Sequence, residues 1–289
     1  MEKNKVIAVV GATASGKTSY SIELAKRCNG EIISADSRLV YKGFDIGTAK
    51  PSLEERENIP HYMIDIVEPD CDYSAGLYAK EAKKYIDDIL SRGKTPIVVG
   101  GTGLYLRILL ENYDLPEIEP NWDLRKELSK LSFEELSKTL LELDKEAFVE
   151  KNDKKKAIRY IEILKTTGKS LAQSRGISEN GYNVEWIGLN FPREELYDRI
   201  NKRVDLMIEM GLVEETKRLL EKYGRISNLV DTIGYREIIM AFDGIYTMSE
   251  AIDKLKQNTR NYAKRQLTWF RKNENIKWNC YPDKKNNKT

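Results

Sequence analysis

The sequence predicts an α/β fold, a parallel β-sheet core interrupted by an inserted helical domain. Two observations predict it. Short β-branched runs alternate with helical stretches of about 10 to 20 residues over the first hundred positions, and another such run appears near position 184. That alternation builds a parallel sheet with helices on both faces. Between the two regions, from Trp122 to about Thr167, the chain is helical and highly charged without a convincing strand.

The elements follow in order. Residues 6–10 form an apolar strand that stops at Gly11, and residues 19–27 read as a helix with Ile22, Leu24 and Ala25 inward, ended by Asn29-Gly30. Residues 31–34 are a second strand, leading directly into Ala35-Asp36-Ser37. Leu77, Tyr78, Ala82, Tyr85, Ile86, Ile89 and Leu90 give residues 74–92 a helical period, closed by Gly93. Residues 96–99 are a third strand, running into Gly100-Gly101-Thr102-Gly103. The character changes after Leu115-Pro116, so the core is assigned to 1–116 and 184–289 and the helical insertion to 117–183. Residues 184–190 restore a strand, and the remainder is expected to be mainly helical, with a frayed polar tail at 283–289.

Composition narrows the function classes. The chain has 289 residues, 33% charged and 40% hydrophobic, and no apolar run approaches the length of a membrane span. Its first residues read as a strand entering a glycine loop rather than as a signal peptide. Cys28, Cys71 and Cys280 lie far apart with neither disulfide-framework nor zinc-ligand spacing, so a reducing cytoplasm is expected. The single histidine, His61, argues against multi-histidine metal chemistry. Nothing demands more than a monomer.

The net charge of +2 hides an asymmetry, because residues 254–289 carry eleven lysines and arginines against two acids. Residues 151–169 carry seven basic residues against Asp153 and Glu162. Such patches on a nearly neutral chain suit a polyanion that touches part of the surface; solvated helix faces are the plainer alternative. On the C-terminal helix, Ile252, Leu255, Tyr262 and Phe270 can face the core, with Lys256, Arg260, Lys264 and Arg271 in a stripe opposite or beside them.

Gly11, Ala12, Thr13, Ala14, Ser15, Gly16, Lys17 and Thr18 match GxxxxGK[ST] in full, between a predicted strand and a predicted helix. The glycines let the loop curl until its N–H groups converge on one anion, and the helix adds its positive end. Lys17 supplies a mobile charge, and the Thr18 hydroxyl can ligate Mg²⁺. The motif indicates phosphate binding without naming a reaction.

Asp36 follows the carboxyl end of the second strand, the edge that faces the ligand crevice in open α/β sheets. It can bind metal, orient a substrate, act as a base, or merely close a turn. The strand 96–99 ends without the acidic residue that ATP-hydrolysing machines place there, which favours transfer to a bound acceptor. Thr102 lies in a second small-residue loop, able to bond a phosphate or substrate or simply to lead into a helix. Arg199 and Arg203 are four apart on a predicted helix, where they can clamp a diphosphate or pair with Glu194, Glu195 or Asp198.

Six blocks in order, GATASGKT at 11–18, ADSRLVYKGFDIGTAKP at 35–51, PIVVGGTGLYLR at 96–107, RINKRVDLMIEMGLVEE at 199–215, TIGYRE at 232–237 and YAKRQLTWFR at 262–271, resemble the bacterial tRNA dimethylallyltransferases from end to end. The resemblance implies a P-loop core like that of nucleotide kinases, a helical insertion that grips tRNA, and Mg²⁺-dependent transfer from dimethylallyl diphosphate to the adenine just 3′ of the anticodon. It implies that the P-loop holds the diphosphate rather than ATP. By motif, Asp36 corresponds to the general base, and Asp36, Ser37, Arg38 and Leu39 to a tRNA-contacting segment. Thr102 corresponds to a threonine near the acceptor nucleotide, and Lys155, Lys156, Ala157, Ile158 and Arg159 to the insertion's tRNA-contacting stretch. The chain departs from the family at Ala12, where proline is usual, and at Leu39, where glutamine is usual and leucine lacks the amide.

Two other classes explain parts of the pattern. An ATP-dependent small-molecule kinase accounts for the loop and the two arginines but leaves the basic stretches without a task. A non-catalytic RNA-binding module leaves Asp36 and Thr102 unexplained.

Overall fold

The computed structural model describes residues 4–111, 118, 121–150, 152–170, 173 and 181–280. The expected domain boundary near 116–117, Lys151 of the basic stretch and the tail at 283–289 lie outside them. The chain forms two compact units, Met1–Leu110 with Gly181–Thr289, and Glu111–Asn180.

The first unit is built on a six-stranded sheet, β1 (Lys5–Gly11), β2 (Gly30–Ser34), β3 (His61–Tyr62), β4 (Thr95–Gly100), β5 (Asn183–Asn190) and β6 (Lys277–Cys280), in the order β3-β2-β4-β1-β5-β6. Every pairing is parallel. Parallel strands are covered on both faces, and β1 shows why its sequence is uniformly apolar. Val6, Ala8 and Val10 join Ile33, Val98 and Tyr78 on one face, while Ile7 and Val9 join Ile22, Ala25 and Ile97 on the other.

The helices α1 (Lys17–Cys28), α2 (Ala75–Ser91) and α3 (Gly103–Leu110) connect these strands. Helix α1 ends at Asn29, whose left-handed backbone at φ 51° returns its N–H to Ala25 O. Ser74 caps α2 by accepting from the Leu77 N–H. Leu77 itself is 46% exposed rather than core-facing, while Tyr78, Ala82, Ile86 and Ile89 carry the buried stripe.

Two strands run against the expectation from sequence. β3 is two residues long, and β6 interrupts a C-terminal region expected to be helical. Both lie at sheet edges. Short, partly polar edge strands carry little hydrophobic pattern of their own, and β6 is recruited by pairing with β5.

The second unit contains α4 (Trp122–Ser129), α5 (Phe133–Leu143) and α6 (Lys154–Thr167). Asn121, the Ser132–Glu135 capping box and Asp153 start these helices. Leu128, Leu136, Leu140, Ala157, Tyr160, Ile161 and Leu164 form its core. Buried Glu162 accepts from the Asn121 N–H at 2.7 Å and from the Arg125 and Arg159 guanidiniums.

Back in the first unit, α7 (Arg193–Glu209), α8 (Leu212–Tyr223), α9 (Ser227–Val230), α10 (Tyr235–Phe242) and α11 (Met248–Phe270) follow β5. They gather Val204, Leu212, Leu229, Tyr235, Ile238 and Leu255 around Val40 and Phe44. The loop after β2 is thus anchored on a helical layer. Glu215 tightens that anchor by accepting from the Ile46 and Gly47 N–H groups and the Tyr235 hydroxyl, at 2.9, 3.0 and 2.7 Å.

Candidate active site

Because the sheet is parallel, Gly11, Ser34 and Gly100 end their strands on one edge, with β1 in the middle between β4 and β5. This is where an open α/β sheet forms its ligand crevice.

The P-loop curls over the end of β1. Gly11 has φ 152°, and a Cβ there would come within 2.6 Å of Leu189 O, so a side chain is excluded. Lys17 Nζ donates to Ala12 O at 2.6 Å and Gly11 O at 3.1 Å. Its pKa is lowered to about 7, first by burial and then by Arg203, with Asp36 pulling the other way. The hydroxyl of Thr18 lies exposed in the first turn of α1.

Both α7 arginines turn onto this loop. Arg199 Nε donates to Ala14 O at 3.0 Å, and its guanidinium lies 4.5 Å over the Phe191 ring. Arg203 donates to Thr13 Oγ1 at 3.3 Å, and burial and then Arg199 lower its pKa. Asp198 pairs with Lys202 at 2.7 Å. Three cations therefore converge on the loop.

Asp36 and Thr102 extend the β2–β4 pairing past the strand ends. The Ala35 N–H bonds Val99 O at 2.7 Å, and the Thr102 N–H bonds Ala35 O at 3.1 Å. Thr102 Oγ1 accepts from the Ser37 N–H at 3.0 Å, and Asp36 Oδ1 accepts from the Arg38 N–H at 2.8 Å. Asp36 thus makes a turn bond through one of its two carboxylate oxygens. Its charge, after burial, helps raise the pKa values of Tyr78 and Tyr262, and with Tyr41 that of Tyr105. Ser37, Arg38 and Leu39 are half-buried beside it, and Leu39 O accepts the Asp65 N–H at 3.0 Å.

Gln266 carries a contact that the spacing of motifs did not indicate, although it lies inside one of the six blocks. It accepts from the Thr13 N–H at 2.8 Å and donates to Gly101 O at 3.0 Å. Trp269, one turn further along α11, lies against Gly103 and is 42% exposed.

Within the basic stretches the structure sorts side chains by burial and pairing. On α6, Lys155 and Lys156 are exposed, whereas Ala157 is fully buried and its side chain is withheld from any ligand; Ile158 is partly buried against the same core. Arg159 is tied to Glu162, and Lys156 to Asp153 at 2.8 Å. Helical spacing places every third or fourth residue inward, and 157, 160, 161 and 164 are those positions. On α11, Lys256 pairs with Asp205 at 2.6 Å and Arg260 donates to Asn201 at 2.6 Å, so both pack against α7; Lys264 and Arg271 stay exposed.

A protein-family model described as IPP transferase matches residues 39–273, most of the chain. The chain belongs to the IPP transferase family. It is 47% identical to the tRNA dimethylallyltransferase of Acetivibrio thermocellus over 95% of this chain and 91% of that protein. Identity to the enzyme of Anoxybacillus flavithermus is 46%, over 95% and 89%. A crystal structure of the tRNA isopentenylpyrophosphate transferase of Bacillus halodurans superposes with TM-score 0.74 at 43% identity, covering 96% of this chain and 90% of that one. A eukaryotic dimethylallyltransferase acting on tRNA gives TM-score 0.81 at 32% identity, covering 92% and 70%.

The activity is that of a tRNA dimethylallyltransferase, transfer of a dimethylallyl group to tRNA near the anticodon. The P-loop core expected from sequence is the fold of its IPP transferase relatives. The kinase and non-catalytic alternatives are set aside. Membership in the IPP transferase family implies tRNA and dimethylallyl diphosphate as substrates and Mg²⁺-dependent chemistry. No helix among the described residues is long and apolar enough to cross a membrane.

The donor set suits Mg²⁺ in one particular way. Among the described residues no group of three or more His, Cys, Asp or Glu side chains is placed to hold a metal. Thr18 offers a hydroxyl, and Mg²⁺ beside phosphates commonly takes most of its ligands from the phosphates and water. The Thr18 hydroxyl fits such an ion.

Proposed function

We propose that the P-loop, residues Gly11 to Thr18, holds the diphosphate of dimethylallyl diphosphate, while Asp36 accepts the proton from the exocyclic amine of the adenine immediately 3′ of the anticodon. One observation carries this reading: β1 and β2 both flank β4 and end on one sheet edge, with Ala35 extending β2 there, so the P-loop with its cations and the Asp36 carboxylate open onto one crevice.

The chemistry follows from the residues. The adenine amine is a weak nucleophile because its lone pair is delocalised into the ring. As its nitrogen forms a bond to the prenyl carbon, the carbon–oxygen bond to diphosphate breaks and the leaving oxygen takes the electron pair. The proton passes from nitrogen to Asp36, relieving the positive charge there. The loop N–H groups, Lys17, Arg199 and Arg203 stabilise the charge gathering on the diphosphate. Thr18 would offer its hydroxyl to a Mg²⁺ ion beside the phosphates, and such an ion would supply further neutralisation. Thr102 holds the Asp36 turn through the Ser37 N–H and borders the acceptor nucleotide.

An adenine within an anticodon loop must leave its stack to reach this crevice, at a cost of a few kcal/mol. Backbone contacts offset that cost. Asp36, Ser37, Arg38 and Leu39 contact the tRNA around the acceptor, with Leu39 unable to supply a side-chain amide. Lys155, Lys156 and Arg159 serve the inserted helical unit in gripping tRNA. The chain acts as a monomer in the cytoplasm, with Cys28 and Cys71 as free thiols.

The test is Asp36→Asn, which keeps the shape and removes the proton acceptor. Single-turnover transfer should fall by roughly 10² to 10⁴ at saturating substrates, with donor and tRNA affinities little changed. Recovery of the rate on raising Mg²⁺, together with weakened donor binding, would instead assign Asp36 to orienting the metal.

A further inference from the structure

We propose that Gln266 is a positioning residue that fixes the distance between the donor loop and the acceptor loop during prenyl transfer. The proposal rests on the assignment of the diphosphate to the P-loop and of the base to Asp36.

Gln266 is 5% exposed, on α11, and its amide spans the two glycine loops. The Oε1 atom accepts from the Thr13 N–H at 2.8 Å, and Nε2 donates to Gly101 O at 3.0 Å. These partners lie 253 and 165 positions away in the chain. A Cβ at Gly101 would meet Nε2 at 2.1 Å, so the bare backbone there is what admits the amide.

Each end of the bridge continues into reactive machinery. On the donor side, Thr13 is held a second time through its hydroxyl by Arg203. On the acceptor side, Gly101 precedes Thr102, whose N–H bonds Ala35 O and whose hydroxyl accepts the Ser37 N–H. Ala35 and Ser37 bracket Asp36. One side chain therefore connects the phosphate loop to the turn that carries the base, through bonds of ordinary length at every step.

The bridge also directs the Thr13 N–H away from the anion. That donor is spent on Gln266, leaving anion binding to the rest of the loop and its cations. An amide is the side-chain group that donates from one atom and accepts at another, about 2 Å away, without bearing charge. A carboxylate would accept from Thr13 but face Gly101 O with no proton to give. A thioether of equal length would do neither.

The reacting nitrogen and prenyl carbon are brought together by different loops, so loosening the bridge should affect alignment more than binding. A misplacement of about 1 Å in such a geometry can cost on the order of 10²-fold in rate. The experiment is single-turnover transfer by Gln266→Met and Gln266→Glu, with Asp36→Asn in parallel, over pH 5.5 to 8.5. Donor and tRNA affinities are measured by equilibrium binding, and thermal unfolding is followed for each variant.

Gln266→Glu is expected to lower the rate roughly 10- to 100-fold at pH 8, with both affinities within about threefold of wild type. As pH falls, the introduced carboxyl gains a proton and can again donate to Gly101 O. The ratio of its rate to that of the wild type should therefore rise, while the ratio for Gln266→Met should stay flat. A flat ratio for Gln266→Glu, or rates within twofold of wild type beside a lowered melting temperature, would overturn the proposal and leave Gln266 a packing residue. If Gln266→Met does not fold, the pH dependence of Gln266→Glu decides alone. Retention of full rate by Asp36→Asn would instead overturn the assignment of the base, whatever the Gln266 variants do.

Discussion

Lys17 bears the sharpest electrostatic conflict in the crevice. Burial and Arg203 lower its pKa to about 7, against the partial support of Asp36. A lysine whose folded pKa lies below its unfolded value of 10.5 destabilises the fold as pH drops from 10.5 towards 7, because the unfolded chain then binds more protons. That penalty is complete below about 7. Lys17→Met should therefore raise the melting temperature of the empty protein by roughly 2–4 °C near pH 6, and by less at pH 9.5. The same variant should lose most of its affinity for dimethylallyl diphosphate. Melting curves and donor titrations of both proteins check this; a lower melting temperature for the variant at pH 6 would contradict it.

Strand β2 delivers Asp36, and Glu31 pins that strand to the end of α2. Glu31 is 2% exposed and accepts from Arg92 at 2.7 and 2.6 Å, from Lys94 at 2.6 Å and from Tyr62 at 2.8 Å. The Arg92 bonds first, then those of Lys94 and Tyr62, outweigh burial and hold its carboxyl down to about 2. A depressed carboxylate stabilises the fold above its unfolded pKa of 4.5 and loses that contribution as pH falls towards 2. Arg92 and Lys94 remain about a third exposed, so water screens the cluster and the contribution is about 1–2 kcal/mol rather than the full linkage value. Glu31→Gln should melt lower than wild type at pH 7, and the gap should narrow between pH 4.5 and pH 2.5 in calorimetric scans. An unchanging gap would mean that the cluster stabilises by packing alone.

At the scale of the whole molecule the charge stripe on α11 divides in two. Lys256 and Arg260 face α7 and are neutralised or bonded there, while Lys264 and Arg271 are exposed. Counterion release counts only charges that meet phosphates. Lys264→Ala with Arg271→Ala should therefore lower the slope of log K against log salt for tRNA binding by about 1 to 2. Lys256→Ala should leave the slope unchanged and instead lower the melting temperature by a degree or two, since a part-buried ion pair is lost. Filter-binding titrations from 50 to 300 mM salt separate the two outcomes. Equal slopes for all variants would remove this face of α11 from the tRNA interface.

Local spacing determined much of this protein. GxxxxGK[ST] between an apolar run and a helix specifies a P-loop because the strand, the turn and the helix start are made by residues close in sequence. The same is true of the strand ends that carry Asp36 and Thr102, and of the capped helices between 121 and 167. Tertiary structure alone decided which polar side chains work together. Arg199 and Arg203 share a helical face, but that face meets the P-loop only because α7 packs beside β1's carboxyl end. The resemblance counted Ala157 in a tRNA-contacting stretch, and the core of its own unit buries its side chain. Gln266 bridges loops 253 and 165 positions away, and β6 forms only against β5. Such contacts are set by the free energy of packing distant segments together, which leaves no periodicity in the segments themselves.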